Sequence, residues 1–415
     1  MFSDRFLICC DNTLYGGYLL MTYLDKKNVA DVDVSGKKVL VRVDFNVPMK
    51  DGVIKDDTRI RAALPTINYL LEHNAAVILM SHLGRPKGQV KQELSLAPVA
   101  RRLADIMGKE IAFAADCVGE PARTSAADLK CGNILLLENL RFHPEEEKNV
   151  PEFGQELASI ADIYVNDAFG AAHRGHASTE GVTHFLPAVG GFLIDKEIKA
   201  LGVAISEPKR PYVAIIGGAK ISDKILVIEN LIKRVDKLLI GGGMANTFLA
   251  AAGYDMQKSL VEGERLDWAK DFLATDAAKE KLLLPVDLTA AAAFEADAEY
   301  KICGLNDIPE GWMSLDVGPR TMEIFTEAVK DAGTIVWNGP LGVFEMDAFA
   351  KGTVEMAEAL ADSDAFTIIG GGDSVSAAHK AGVADKISHI STGGGASLEF
   401  LQGKILPGVN ALADK

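Results

Sequence analysis

The sequence predicts an α/β fold with two doubly wound, Rossmann-like parallel-sheet domains joined by a hinge helix. Strand-like apolar runs alternate with helical patterns, and four glycine clusters each end an apolar run and precede a helix. A length of 415 residues also exceeds one ordinary hydrophobic core, which favours two domains. Strands that alternate with helices form parallel sheets with both faces covered, and such sheets bind ligands at the carboxyl ends of their strands.

The first half of the chain begins this alternation. We expect strands at residues 38–44, 76–80, 134–137 and 163–165, and helices at residues 59–72, 97–106 and 152–161. Asp57 and Thr58 are suited to cap the first of these helices. The predicted buried face of that helix consists of Ile60, Leu64, Ile67 and Leu71.

Polar side chains follow the ends of these strands. They are Asp44, Asn46, His82, Arg85, Arg141 and Arg174, and Arg59 joins them from the start of a helix. Each one alone is more often a surface charge or an ion-pair partner. Arginine binds carboxylate and phosphate through paired hydrogen bonds, so its repetition at strand ends favours a polyanion site. We interpret His82, beside Arg85, as a hydrogen-bond donor to the ligand rather than a general base.

A helical pattern over residues 190–206 ends at Glu207–Pro211, and a second alternating series begins at Tyr212. We place the domain boundary here, with residues 190–210 as the hinge helix. The second half predicts strands at residues 212–216, 238–240, 282–285, 334–337, 366–369 and 387–391.

The glycine clusters all lie in this second half. They are Gly217-Gly218, Gly241–Gly243, Gly370–Gly372 and Gly393–Gly395. A helix start carries unpaired N–H groups and partial positive charge, and glycine lets a ligand approach the backbone, so these turns favour phosphate. Asp373 is suited to hold the Mg²⁺ that accompanies a nucleotide. The plainer interpretation of that turn is a helix capped by Asp373 or Ser374.

Composition excludes several classes of partner. A net charge of −15 argues against nonspecific binding to nucleic acid or to an anionic membrane. No run approaches the roughly 18 apolar residues of a membrane span. The five cysteines are odd in number and lack metal-type spacing, which favours a reduced cytoplasmic setting. Residues 1–20 have the character of an extension of unassigned role before Met21, which could itself be the true start.

Familiar nucleotide motifs are missing from the sequence. It contains neither a G-x-x-x-x-G-K-[ST] loop nor the catalytic signatures of protein kinases. Gly241-Gly242-Gly243-Met244-Ala245-Asn246 only begins like a dinucleotide fingerprint, so a dehydrogenase is weakly supported. We also detect neither a nucleophile elbow nor a His/Cys metal cluster.

The motifs closely resemble those of the phosphoglycerate kinase family. The resemblance covers nearly everything after about Leu24, in the family's order. Its blocks are Asp44–Pro48, Ser81–Pro86, Glu138–Phe142, Asn166–Arg174, Gly217–Lys224, Gly241–Phe248, Asp316–Pro319, Trp337–Glu345, Gly370–Ser374 and Ser391–Glu399. Residues 1–20 depart from the pattern, which puts the true N-terminus in doubt.

The resemblance implies two half-sites. The family holds phosphoglycerate in a first domain, here residues 21–189 plus the returning residues 405–415, and Mg-nucleotide in a second, here residues 211–404. Implied substrate residues are Asp44, Phe45, Asn46, Arg59, His82, Leu83, Gly84, Arg85, Arg141 and Arg174. Implied nucleotide residues are Gly218, Lys220, Lys224, Gly242, Asn338, Glu345, Gly371, Gly372, Asp373 and Ser374, with Asp373 toward Mg²⁺. Candidates to stabilise the moving phosphoryl group are Arg59, Lys220, Gly394 and Gly395.

The implied reaction is phosphoryl transfer between 1,3-bisphosphoglycerate and ADP, by a monomer in the cytoplasm. Such transfer needs in-line placement and charge neutralisation, and the ionised carboxylate needs no general base. Two half-sites that close only when both are filled would exclude water. Two other classes stay open. NADH turnover without a nucleotide diphosphate would indicate an oxidoreductase, and tight binding without ATP turnover would indicate a phospho-ligand sensor.

Overall fold

A computed structural model describes residues 23–415. These residues form two compact units, one that runs to Gly202 and includes Ile405–Lys415, and one that comprises Val203–Lys404. The predicted extension at residues 1–20, the alternative start at Met21, and Cys9 and Cys10 lie outside the described residues. Among residues 23–415, none of the helices is long and apolar enough to cross a membrane.

The first unit contains a parallel sheet of six strands. Its strands are β1 (Lys38–Val43), β4 (Ala76–Met80), β5 (Ala112–Phe113), β6 (Ile134–Leu136), β7 (Ile163–Asp167) and β8 (Ala188–Gly190), while β2 (Met49–Lys50) and β3 (Val53–Ile54) form a separate hairpin. The order across the sheet is β5-β6-β4-β1-β7-β8. Strand β1 therefore lies in the middle of the sheet. Strands β4, β5 and β6 lie on one side of it, and the later strands β7 and β8 lie on the other, so the strand order reverses between β1 and β7.

Helices cover both faces of this sheet. They are α1 (Thr58–Glu72), α2 (Ala97–Met107), α3 (Gly119–Asp128), α4 (Pro144–Glu147), α5 (Pro151–Ala158) and α6 (Phe192–Ser206), the last of which continues into the second unit. Successive residues of a strand point to opposite faces. Accordingly Val39 and Val41 pack with Ile60 of α1 on one face, and Leu40 packs with Tyr164 on the other.

The second unit repeats the design. Its parallel strands are β9 (Tyr212–Ile216), β10 (Lys237–Ile240), β11 (Leu282–Leu283), β15 (Thr334–Asn338), β16 (Phe366–Gly370) and β17 (His389–Ile390), in the order β11-β10-β9-β15-β16-β17. Its helices are α7 (Ile225–Leu231), α8 (Gly243–Ala251), α9 (Leu266–Ala274), α10 (Asp276–Lys281), α11 (Pro319–Lys330), α12 (Lys351–Ala361), α13 (Gly372–Lys380) and α14 (Gly395–Leu401). The predicted fold class of two doubly wound parallel sheets is confirmed.

The second unit also contains an antiparallel sheet that the sequence analysis missed. Its strands are β12 (Asp287–Ala291), β13 (Tyr300–Gly304) and β14 (Met313–Val317), in the order β13-β12-β14. The uniform alternation expected for this half is therefore wrong in detail. Lys301 separates Tyr300 from Ile302, so β13 has no continuous apolar run, and the small residues of β12 weaken its strand signal.

Several predicted boundaries also needed correction. The hinge-helix pattern predicted from residue 190 begins at Phe192, because Ala188–Gly190 forms the edge strand β8. Strand β17 is shorter than predicted, because only His389 and Ile390 of residues 387–391 form a strand. Asp57 occupies the N-cap position of α1 as predicted, but its carboxylate makes no capping bond and accepts from Arg61 and Arg102 instead. The buried face of α1 includes Ile60 and Ile67 as predicted and also Leu70, whereas Leu64 and Leu71 are only partly buried against the core.

The last residues of the chain pack within the first unit. Leu406 donates its N–H to the Tyr23 hydroxyl at 2.6 Å. Gly408 donates its N–H to the carbonyl of Ala172 at 2.8 Å and accepts from the side chain of Asn166 at 2.9 Å. The C-terminal segment therefore supports the loop after β7, which carries Arg174.

Candidate active site

The candidate site of the first unit, the predicted substrate half-site, lies at the carboxyl ends of β1 and β4 and in the loops after β6 and β7. Ser81 joins the first two ends, because its hydroxyl accepts the Phe45 N–H at 2.9 Å and lies 3.1 Å from the His82 carbonyl. Asn139 joins the third, since its side chain accepts from Leu83 at 3.1 Å and from Arg141 at 3.1 Å. The chain direction reverses beside β1, which is where doubly wound sheets bind ligands.

Hydrogen bonds bring most of the predicted substrate residues together. Arg59 Nη1 donates to the Asn46 carbonyl at 3.0 Å and lies 3.3 Å from the Asp44 carboxylate. Asn46 Oδ1 accepts the Gly84 N–H at 2.9 Å, and Arg141 Nη1 donates to the Gly84 carbonyl at 2.9 Å. These bonds hold five predicted residues in one group.

Other predicted residues have different surroundings. The side chains of Phe45 and Leu83 are buried in the core, so only their backbone groups are suited to face a ligand. Arg85 is exposed. Arg174 is half-buried and donates from Nε to His173 at 3.1 Å.

The half-site has a strongly positive character. Burial lowers the pKa of His82 well below its usual value, and the charges of Arg42, Arg141, Arg174 and Arg59 lower it further. Burial also lowers the pKa of Arg141 to about 10, which Glu147 partly opposes and Arg174 reinforces. Arg141 Nε lies 3.2 Å from Glu147, yet it forms no hydrogen bond within residues 23–415. Several arginine charges therefore converge on the same place in the structure, and such a concentration of positive charge is suited to bind a multiply charged anion.

Arg42 also belongs to this half-site, although it was not among the predicted residues. Arg42 belongs to β1, is 1% exposed, and places Nη2 3.0 Å from Nδ1 of His82. An arginine within an otherwise apolar strand was the available signal, because such a residue is almost never fully buried without a partner.

The second unit contains a cavity of about 630 Å³ at the carboxyl ends of its strands. This volume is typical of a site for a small-molecule ligand. Four predicted nucleotide residues line it: Gly218, Gly242, Glu345 and Asp373. An apolar wall that the sequence analysis missed includes Leu260, Leu288, Phe294, Leu341 and Val343. Asp316 also lines the cavity, and burial raises its pKa to about 7 although it accepts N–H bonds from Gly352 and Val317.

Two glycines bring the ends of β9 and β15 into backbone contact beside this cavity. A Cβ on Gly217 would lie 2.1 Å from the Pro340 carbonyl oxygen, and one on Gly339 would lie 2.2 Å from the Gly217 carbonyl oxygen. Gly339 also has a φ of +97°, which other residues rarely adopt. The strand order of the sheet reverses between these two parallel strands, which is where doubly wound sheets bind ligands. Because the glycines have no side chains, a ligand could reach the backbone there.

Lys224 and Asn338 tie the same strand ends together. Lys224 Nζ donates to the carbonyls of Gly217 at 2.8 Å and Asn338 at 3.1 Å, and to Oδ1 of Asn338 at 2.6 Å. Asn338 in turn donates to the Gly370 carbonyl at 2.7 Å. Burial lowers the pKa of Lys224 to about 8, an effect that Asp373 opposes. Lys220, by contrast, is exposed.

Helix α13 begins at Gly372, with Gly371 as its capping residue. The interpretation in which Asp373 or Ser374 caps this helix is therefore wrong. Asp373 is exposed in the first turn, and the buried Ser374 hydroxyl accepts the Gly339 N–H at 2.5 Å. Helix α14 starts at Gly395 after Gly394, which has a φ of +52°.

Comparison with known proteins gives the family. The model of the phosphoglycerate kinase family matches residues 29–404. The chain belongs to this family. It is 61% identical over 391 residues to the phosphoglycerate kinase of Moorella thermoacetica, a match that covers 94% of this chain and all of the relative. It is 58% identical over 394 residues to that of Clostridium botulinum strain Eklund 17B, with 94% and 99% covered.

Solved structures of the family agree with this fold. The phosphoglycerate kinase of Coxiella burnetii superimposes with a TM-score of 0.84 at 42% identity, covering 93% of this chain and 98% of that structure. The enzyme of Pyrococcus horikoshii OT3 gives a TM-score of 0.83 at 36% identity, with the same coverage.

Proposed function

We propose that this protein is a phosphoglycerate kinase, which transfers a phosphoryl group reversibly between 1,3-bisphosphoglycerate and Mg-ADP to give 3-phosphoglycerate and Mg-ATP. The observation that carries the proposal is the set of arginines whose charges act on His82, namely Arg42, Arg59, Arg141 and Arg174, in a chain of the phosphoglycerate kinase family. We call these residues the arginine group. That group meets the charge of a phosphorylated carboxylic acid in a protein whose net charge is −15.

In the first unit, 3-phosphoglycerate binds beside the arginine group and the exposed Arg85. Arg85, Arg141 and Arg174 neutralise its anionic groups, and His82 donates a hydrogen bond to them. Asp44 and Asn46 are suited to its hydroxyl. Asp44 and Asn46 also contact Arg59. Arg59 is half-buried, so its guanidinium keeps some exposure to the ligand side.

In the second unit, the nucleotide occupies the cavity. The apolar wall packs against the base, and Glu345 accepts hydrogen bonds from ribose hydroxyls. The backbone at Gly218, Gly242, Gly371 and Gly372 approaches the phosphates, and Lys220 supplies an exposed positive charge. Lys224, Asn338 and Ser374 hold the turns in place through the hydrogen bonds described above.

The residues present fit a magnesium ion. Asp373 offers an exposed carboxylate at the start of α13 and lines the cavity. Mg²⁺ in nucleotide sites is typically held by one or two carboxylates together with phosphate oxygens and water. When bound, it would neutralise phosphate charge.

Transfer requires alignment and charge neutralisation rather than proton transfer. The carboxylate of 3-phosphoglycerate is ionised at neutral pH and attacks the γ-phosphorus of ATP directly, while the bond to the ADP oxygen breaks. Arg59, Lys220 and the N–H groups of Gly394 and Gly395 stabilise the charge on the moving phosphoryl group.

The two substrates bind to different units, so closure about the hinge, residues 190–210 with α6 at its centre, is part of the proposal. Closure excludes water and prevents hydrolysis of ATP. We further propose that the enzyme acts as a monomer in the cytoplasm.

A coupled assay of ATP-dependent phosphorylation of 3-phosphoglycerate tests the proposed function. We expect turnover that requires Mg²⁺ and both substrates. Turnover of NADH that requires no nucleoside diphosphate would indicate an oxidoreductase instead. Tight binding of both ligands without turnover would indicate a sensor.

A further inference from the structure

Arg42 is a buried cation with a distinctive set of contacts. Its Nε donates to Ser178 Oγ at 2.8 Å, its Nη1 donates to the Val43 carbonyl at 2.5 Å, and its Nη2 lies 3.0 Å from Nδ1 of His82. No carboxylate lies within ion-pair distance of this guanidinium among residues 23–415. The positive charge must therefore be stabilised through an intermediary.

Ser178 provides that intermediary. Its hydroxyl donates to Glu146 Oε1 at 2.6 Å, and its N–H donates to Glu146 Oε2 at 2.9 Å. Burial works to raise the pKa of Glu146, but His176, the charge of Arg42 and the bonds from Ser178 outweigh this effect and lower the pKa. Glu146 is thus an ionised, fully buried carboxylate that holds Arg42 through one hydroxyl.

The contact with Arg42 determines the protonation of His82. Arginine stays protonated in proteins, and all its N–H groups are donors. A ring nitrogen 3.0 Å from such a donor must accept, so Nδ1 of His82 carries no hydrogen. A neutral imidazole then carries its single hydrogen on Nε2. His82 is 4% exposed, and its Nε2 has no hydrogen-bond partner among residues 23–415.

We propose that Arg42 is a positioning residue that fixes His82 as the neutral Nε2–H tautomer, so that His82 presents one uncharged donor to an anionic oxygen of the substrate. The role of His82 in this statement rests on the proposed function. The physical advantage is direction: the surrounding arginines supply the charge, and a neutral donor adds a defined hydrogen bond without further repulsion.

The tautomer is measurable without any substrate. In long-range ¹H–¹⁵N spectra of the whole protein, we expect His82 to show a protonated Nε2 and to remain neutral as the pH falls through about 6.5, where an ordinary histidine titrates. His73 is an internal reference, because its Nδ1 lies 2.7 Å from the Tyr69 carbonyl and must donate. A protonated Nδ1 or ordinary titration of His82 would overturn the proposal, whatever the activity.

Substitutions of Arg42 then test the cause. Arg42→Met removes the donor, and we expect a mixed tautomer at His82 and a KM for 3-phosphoglycerate about tenfold higher, with the KM for ATP unchanged. Arg42→Lys keeps a charged donor and should restore the tautomer and part of the affinity. An unchanged tautomer in folded Arg42→Met would contradict the proposal.

Substitutions of His82 keep the test available if the Arg42 variants do not fold. Glutamine places an amide N–H near the position of Nε2, whereas asparagine places one near Nδ1. We expect His82→Gln to raise the KM for 3-phosphoglycerate about tenfold less than His82→Asn does. Equal effects of the two changes would argue against a directed Nε2–H donor.

Discussion

The ammonium group of Lys224 lies 2.6 Å from the side-chain oxygen of Asn338, although 114 residues separate them. The ammonium group also donates to the carbonyls of Gly217 and Asn338, so all three of its N–H hydrogens have acceptors. Lys224 therefore fastens β9 to β15, whereas the exposed Lys220 remains available to a ligand.

The burial of Lys224 predicts that the stability of the unsubstituted protein depends on pH. The pKa of Lys224 is lowered from 10.5 to about 8, so the unfolded chain binds more protons between these values. The free energy of unfolding should therefore gain from this group as the pH rises from 8 to 10.5, and lose that gain as the pH falls. Lys224→Met should abolish this contribution, on the order of 1–3 kcal/mol, in urea titrations at several pH values. Lys220→Met is the control, and an identical pH profile in both variants would contradict the argument.

Arg59→Ala should reduce kcat by about 10²–10³ and leave the affinity for nucleotide nearly unchanged, because a preorganised charge at the transition state is lost. Steady-state kinetics and ADP titration would measure both. Arg61→Ala is a suitable control, since Arg61 lies two residues away in the same helix and binds Asp57. Unchanged turnover in Arg59→Ala would remove Arg59 from the catalytic group.

Asp373→Asn should weaken the binding of Mg-ADP and Mg-ATP and spare 3-phosphoglycerate. The amide retains the size and one oxygen but loses the charge that Mg²⁺ prefers. Calorimetry with each ligand would test this. Asp364→Asn, at another exposed aspartate of the second unit, should change neither affinity. Equal Mg-nucleotide affinity in Asp373→Asn and the parent would disprove the metal role.

Gly339→Ala should destabilise the second unit by several kcal/mol, because the new Cβ would lie 2.2 Å from a backbone oxygen. Gly382→Ala separates this overlap from strain in φ, since Gly382 also has a positive φ, +70°, but has nothing within 4 Å of the added Cβ. We expect Gly382→Ala to cost only about 1–2 kcal/mol. Chemical denaturation of both variants makes the comparison, and similar losses would show that contact of β9 and β15 is unimportant.

Closure makes a prediction for the whole enzyme. Transfer needs the reacting atoms within roughly 3–3.5 Å of each other, while the proposed substrate sites belong to separate units. Positive side chains on both units should oppose closure until two anionic ligands neutralise them. Small-angle scattering should therefore show little compaction with either ligand and clear compaction with both. Full compaction with nucleotide alone would contradict the charge argument, and an unchanged radius with both would exclude the hinge.

Residues at strand ends were predictable because their signal is local. A buried run such as Ala76–Met80 followed by His82 identifies both the strand and the edge of the sheet to which it delivers side chains. Strand β13 was not predictable in this way, since Lys301 interrupts its few apolar residues.

Partners that are distant in sequence were also beyond local patterns. Arg42 and Ser178 are 136 residues apart, and nothing near Arg42 indicates that it would meet His82. Ser374 was correctly located at the start of a helix, but its hydroxyl binds Gly339 because β15 and β16 are neighbours in the sheet.

The return of residues 405–415 to the first unit has a consequence for biosynthesis. The second unit, Val203–Lys404, is continuous in sequence, whereas the first needs Ile405–Lys415 for contacts such as those of Lys26 with the carbonyls of Asn410 and Leu412. A ribosome makes the chain from its N-terminus, so the residues that complete the first unit are synthesised after the whole of the second unit. The first unit therefore acquires its full set of contacts only after the second unit has been translated.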